Sequence, residues 1–153
     1  MALSRSALPV SWALGAGLTA MGGLAFVAAL LPFLPGDATW EILVLGPVAQ
    51  STLLTVTGLY LLAVSAVTAG SIRALAAVLV TTAMLLSLLA VAVVTVALDL
   101  WLLASPTRFG QAAVGDLETL GVRGALLGVI AAAATAAGSA HFATAFHTLR
   151  GRR

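Results

Sequence analysis

The sequence predicts an all-α fold: a polytopic integral membrane protein built as a four-transmembrane-helix bundle with short loops, both termini facing the cytoplasm (N-in/C-in). Three observations carry this expectation. Hydrophobic residues make up 61% of the 153-residue chain and charged residues only 8%, whereas a soluble domain carries about a quarter charged residues. Four apolar stretches each reach the ~20 residues that a helix needs to cross a bilayer, and whole turns are apolar all the way round, which makes lipid the outer solvent. The Leu, Ala and Val runs lack the two-residue alternation of barrel strands. Because backbone polar groups in hydrocarbon must be satisfied internally, helices are what is left.

The first span is expected over residues 12–34, where the apolar run meets Pro32, Pro35 and Gly36 followed by Asp37. Arg5 ahead of this run resembles the start of a signal peptide, but a removable apolar region has about 7 to 15 residues, so an uncleaved signal anchor is the better reading. The second span is placed over residues 48–69. Glu41 to Gln50 is largely apolar but holds Gly46-Pro47, and a proline this near the start argues for beginning the helix after it. Residues 41–47 are then expected in the membrane interface. The third span covers 74–98, closed by Asp99, Trp101 and Ser105-Pro106, and the fourth covers 124–146, ending before Arg150. Between them Val114, Leu117 and Leu120 lie at helical spacing beside Asp116 and Glu118, suggesting a short amphipathic surface helix over about 111–120. The links leave no room for a soluble domain, and the chain reads as a single transmembrane domain over residues 1–153.

Orientation follows from the arginines, since positively charged loops stay in the cytoplasm. The N-in, C-in arrangement puts Arg5, Arg73, Arg150, Arg152 and Arg153 on one side with no acid. Arg108 and Arg123 then share the other side with Asp37, Glu41, Asp116 and Glu118. Trp12 marks the inner interface, and Trp40 and Trp101 the outer one. The expected location is the cell (plasma) membrane, as a multi-pass protein.

All seven basic residues are Arg, and Lys, Asn and Cys are absent. This bias suggests a GC-rich coding genome and hence a prokaryote. Without Cys there are no disulfides, thiolate metal sites or thiol redox chemistry. The arginines are scattered singly except at the C-terminus, so no patch tracks a nucleic acid backbone and no nucleic acid partner is expected.

Helices associate in lipid through close packing, so small residues four apart are informative. The first span carries Gly15, Thr19 and Gly23, and the fourth Gly124, Gly128 and Ala132, with Ala136 continuing the row. The first and fourth spans are therefore expected to be the inner helices and to touch one another. The third, rich in Leu and Val, is expected to be the most exposed to lipid.

Three polar side chains are candidates for function. Asp99 adjoins the third span, and a carboxylate within the membrane is functional by default. It lies 26 residues beyond Arg73, roughly 39 Å along a helix, which favours an interfacial acid paired with Arg108 or Arg123. His141 sits nine residues before Arg150, roughly 13 Å along the helix. It invites proton relay or haem ligation, but a neutral imidazole bonded to a hydroxyl such as Ser65 or Thr68 is the more ordinary role. Its nearest companion, His147, is six residues on and so on the opposite face, which makes a metal site poor. Tyr60, in the middle of the second span among Thr52, Thr55, Thr57 and Gly58, needs a hydrogen-bond partner at that depth. The hydroxyls Thr81, Thr82, Ser87 and Thr95 on the third span can bond their own helix carbonyls.

No nucleophile triad, phosphate loop or dinucleotide fingerprint is present in the sequence, so no enzyme activity and no cofactor are expected. Abundant packing surface with few reactive groups favours a structural or accessory subunit of a membrane homo- or hetero-oligomer. Its partners would be the lipid bilayer and other membrane subunits or itself. The alternative is a small transporter or channel with a polar path near Tyr60 and His141.

Overall fold

The structure is a computed structural model, and it describes residues 7–31, 40–103 and 111–151. Among the described residues every regular element is an α-helix: α1 (Leu8–Leu30), α2 (Trp40–Thr68), α3 (Ile72–Leu103) and α4 (Gln111–Gly151). All four are long and apolar enough to cross a membrane. The breakers at 32–39 and the acids and arginines near 37, 108 and 116 lie outside the residues whose side chains are described.

Helix bounds differ from the sequence expectation: α1 starts at Leu8, α3 runs past Asp99 and Trp101 to Leu103, and α2 and α4 differ most. α2 starts at Trp40 and runs through Pro47 without a break. A proline deprives only the carbonyl four residues earlier of its donor, and apolar helices keep such residues where neighbouring helices hold the backbone. Residues 111–120 form no separate surface helix, because they are the opening turns of α4. That helix has 41 residues and is about 61 Å long, twice the ~30 Å of hydrocarbon in a bilayer.

The inner helix is α2. Over an 18-residue apolar stretch of each helix it is 61% buried, against 28% for α4, 17% for α3 and 11% for α1. This corrects the expectation that the first and fourth helices form the interior and that the third is the most exposed. α2, α3 and α4 pack mutually, whereas α1 lies along α2 alone. Among the described residues no Cα of α1 comes within 8 Å of a Cα in α3 or α4. The first and fourth helices do not touch through their small residues, because α2 stands between them. The bundle is a three-helix core with an outrigger.

The burial pattern explains why α2 can serve every partner. Ile42, Leu45, Ala49, Thr52, Val56, Leu59, Ala63 and Ala66 are all buried and alternate at three and four residues. A second buried row, Val44, Val48, Ser51, Thr55, Gly58 and Ser65, runs beside it with the same alternation, completed by half-buried Leu62. A 3.5-residue repeat keeps a seam facing its neighbour over many turns, so one helix with two seams can hold partners on two sides. α3 answers with Leu75, Val78, Thr82, Leu89 and Val96 at the same spacing.

Two apolar clusters fill the core. One gathers Ile42, Leu45 and Ala49 of α2 with Leu89 and Val96 of α3 and Ala131 of α4. The other gathers Leu59, Ala63 and Ala66 with Leu75 and Val78, and Trp12, Phe142 and Phe146 pack onto it. Between α2 and α3 the chain reverses in three residues. Gly70 has φ 66°, in the left-handed region, and this lets the Ser71 amide donate to Ala66 O (2.9 Å) and the Gly70 amide to Val67 O (3.1 Å), a Schellman ending. The Ser71 hydroxyl then accepts from the Ala74 amide (3.4 Å) and caps α3.

Candidate functional site

α1 and α2 meet backbone to backbone. At Gly58 a Cβ would stand 2.5 Å from the Thr19 amide nitrogen and 2.7 Å from Gly15 O, and at Gly15 a Cβ would stand 2.9 Å from Leu62 Cγ. Glycine is required at these positions because backbone meets backbone. One turn on, the residue facing α2 is Gly22, whose Cβ would lie 2.6 Å from the Thr55 amide nitrogen, while Gly23 points into open space with nothing within 4 Å. A spacing of four, 15-19-23, misses the drift of a real seam, and 15-19-22-26 follows it. Near the helix start the hydroxyls of Ser11 and Ser65 meet at 2.7 Å, a polar clasp between α1 and α2 that the sequence reading did not single out. Ser65 is fully buried.

On α4 the small residues face α2 and α3. A Cβ on Gly124 would stand 3.2 Å from the Gly46 amide nitrogen, and one on Gly128 would stand 2.5 Å from Val93 Cγ2. Ala132 is half-buried against the first core cluster. Gly121 and Gly138 belong to the same seam, facing Leu100 and the ring of Tyr60 respectively.

Tyr60 occupies a notch that Gly138 provides. Its hydroxyl lies 2.7 Å from Thr135 O and 3.0 Å from Ala134 O, where it donates its proton. The ring leans on Phe142 with centroids 5.5 Å apart. The phenol ties α2 to α4, and its donor is spent on backbone carbonyls. His141 sits beside this contact but outside it. Its side chain is exposed, and its ring stands T-shaped to that of Phe142 with centroids 5.4 Å apart. It makes no hydrogen bond to Ser65 or Thr68, whose hydroxyls donate instead to Leu61 O and Val64 O. His147 is also exposed and lies edge-on to Phe146.

Asp99 falls three residues beyond Val96, on the inward seam of α3. Its Oδ2 is buried and has no hydrogen-bond partner, a state shared by Ser139 Oγ among the described residues. Arg123 is exposed and forms no ion pair with Asp99, and Arg108 lies outside the described residues. Among those residues no group of three His, Cys, Asp or Glu could hold a metal ion. The buried hydroxyls Ser51, Thr52, Thr55, Thr82 and Thr135 all donate to carbonyls of their own helices, so these five are satisfied locally.

Because α1 stays clear of α3, a cleft of about 290 Å³ opens between them over a floor of α2. Phe26, Val48, Leu85, Leu89 and Val96 are among its walls. Neither Tyr60 nor His141 lines it or the shallower grooves at Met84 and Gln50. No family model, curated protein or solved structure matches the chain.

Proposed function

We propose that this chain is a multi-pass protein of the plasma membrane, with both termini in the cytoplasm, that serves as a structural or accessory subunit of a membrane oligomer. The observation that carries the reading is the attachment of α1. One face of it is fastened to α2 through glycines, and Val10, Leu14, Met21, Leu24 and Val27 around the rest are more than half exposed. An outrigger helix with clefts on its flanks offers far more helix-packing surface than a closed bundle of this size, and close packing is what associates helices in lipid. The arginine distribution supports the orientation, with Arg73 and Arg150 both exposed and lying at the same end of the helices.

Two measurements test this. Extraction in a native nanodisc or mild detergent followed by mass determination is expected to give a species larger than one chain, and a bare monomer in every condition would refute it. Single cysteines at residues 37, 71 and 116, clean in a chain without Cys, are expected to be labelled from outside at 37 and 116 only. Labelling of position 71 from outside overturns the orientation.

A small transporter or channel is the second reading, and what favours it is Asp99, whose buried Oδ2 lacks a partner. Buried unsatisfied carboxylate oxygen is costly and is kept where an ion or proton uses it. Proton or cation flux in reconstituted vesicles, abolished by Asp99→Asn, would promote this reading over the first.

A further inference from the structure

Gln50 is one of two amide side chains in the sequence, and it stands on the outer face of α2. Pro47, Gln50 and Thr57 are the exposed positions of this helix among residues 42–68, and with half-buried Leu54 they form its outward stripe, apart from both buried seams. The candidate span of α2 runs from Ile42 to Thr68. Gln50 is therefore about 12 Å in from one end and about 27 Å from the other, within the ~30 Å hydrocarbon layer when the helix spans it. Other outward hydroxyls discharge their protons on their own helices: Thr57 to Leu53 O, Thr81 to Ala77 O, Ser87 to Ala83 O and Thr95 to Val91 O. Gln50 has no such recourse and no hydrogen bond to any described residue. Two donors and a carbonyl oxygen are thus presented to lipid, where a missing hydrogen bond is costly.

The surroundings of Gln50 fit a helix. It lies in a shallow groove bounded on the α1 side by Ala25, Ala28 and Ala29 and on the α2 side by Pro47, Ser51 and Leu54. Alanine flanks let another backbone come close. We infer that the occupant is a second copy of this chain, docked α2 to α2 about a two-fold axis along the membrane normal, with the two Gln50 side chains exchanging hydrogen bonds. A primary amide is its own complement, donating with its NH2 and accepting with its carbonyl. An axis along the normal keeps both copies in one orientation and brings each residue to its counterpart at equal depth, so Gln50 meets Gln50 with no further requirement. This rests on the accessory-subunit reading and names the partner and the contact.

The test uses the full chain in its native membrane with a single cysteine and a short bismaleimide. Leu54→Cys is expected to yield a covalent dimer, and Met84→Cys, on exposed α3 surface, is not. Adding Gln50→Leu to Leu54→Cys is expected to lower the dimer yield by about tenfold, and Gln50→Asn, which keeps an amide, to retain most of it. Unchanged cross-linking in Gln50→Leu, or equal cross-linking at positions 54 and 84, overturns the inference. An adduct at position 54 only with a different protein overturns it too but leaves the subunit reading standing, whereas a chain monomeric in every environment defeats both.

Discussion

Adjacent glycines on α1 give the sharpest test of the packing. Alanine at Gly22 puts a methyl group 2.6 Å from the Thr55 amide nitrogen and 2.8 Å from its Cα, and alanine at Gly23 meets nothing within 4 Å. The nearest atom in the way at Gly22 is Thr55 Oγ1, and beside it stand the amide nitrogen and Cα of a backbone that cannot rotate aside. Restoring ordinary contact, which begins at 3.4 Å, moves α1 off α2 by about 0.8 Å at that turn. A gap of 0.5 to 1 Å forfeits roughly a quarter to a half of the dispersion energy of the atoms facing it. Overpacking of this kind costs about 1–3 kcal/mol, and α1 has no second helix to hold it. Gly23→Ala is expected to leave docking unchanged or to strengthen it by less than about 1 kcal/mol through helix propensity. The reporter is a disulfide between Ser11→Cys and Ser65→Cys, whose parent hydroxyls sit 2.7 Å apart in a chain that has no other thiol. Its yield under mild oxidation in detergent should fall at least fivefold with Gly22→Ala and stay level with Gly23→Ala. Equal yields in the two variants would refute the assignment of Gly22 to the seam.

Other expectations follow from the same geometry. Gly138→Ala drives a methyl group into the Tyr60 ring and should lower stability by about 1–3 kcal/mol, read as the midpoint of unfolding in mixed micelles; a neutral result would mean that the notch is not used. Tyr60→Phe removes the bond to the Ala134 and Thr135 carbonyls and should cost about 0.6–1.7 kcal/mol by the same readout. The two changes should be less than additive, since both act on one contact. Gly128→Leu should destabilise by about 1–3 kcal/mol through Val93 on α3, and a compensating gain with Val93→Ala would confirm the partner. His141→Gln is expected to leave the unfolding free energy within about 0.5 kcal/mol of wild type, because the imidazole is exposed and makes no side-chain hydrogen bond.

The sequence announces helices far more plainly than it announces neighbours. Long runs of Leu, Ala and Val with almost no charge leave little alternative to four apolar helices, and these are present. The pairing was not legible, because a row of small residues says that a face permits close approach without saying which helix arrives there. Gly15 and Gly124 both lie in such rows, yet each meets α2, whose own seams mix Val, Leu and Ile with Ala, Thr, Ser and Gly and carry a single small-xxx-small pair, Ser51 and Thr55. Counting in fours from Gly15 arrives at Gly23 and ignores the seven-residue drift of a packed seam, which arrives at Gly22. Pro47 marks a helix boundary by its behaviour in water, where a lost hydrogen bond is replaced by solvent and the helix gives way. Of the polar candidates, Tyr60 demanded a partner and has two carbonyls, and a side chain like His141 can lie on either side of its helix without altering the local pattern. Gln50 escaped notice because a single amide among apolar residues resembles a loop margin once the helix is begun too late.

The fastening of α1 to α2 alone has a consequence for how the protein is made. A nascent chain delivers its segments in order, and α1 needs nothing beyond the segment that follows it. Its glycine seam and its serine clasp can close while α3 and α4 are still in the ribosome, as a hairpin that needs no later guest. α2 then presents its other seam, the row from Ile42 to Ala66, to receive the remaining pair. The last helix to emerge completes the interior without disturbing the first.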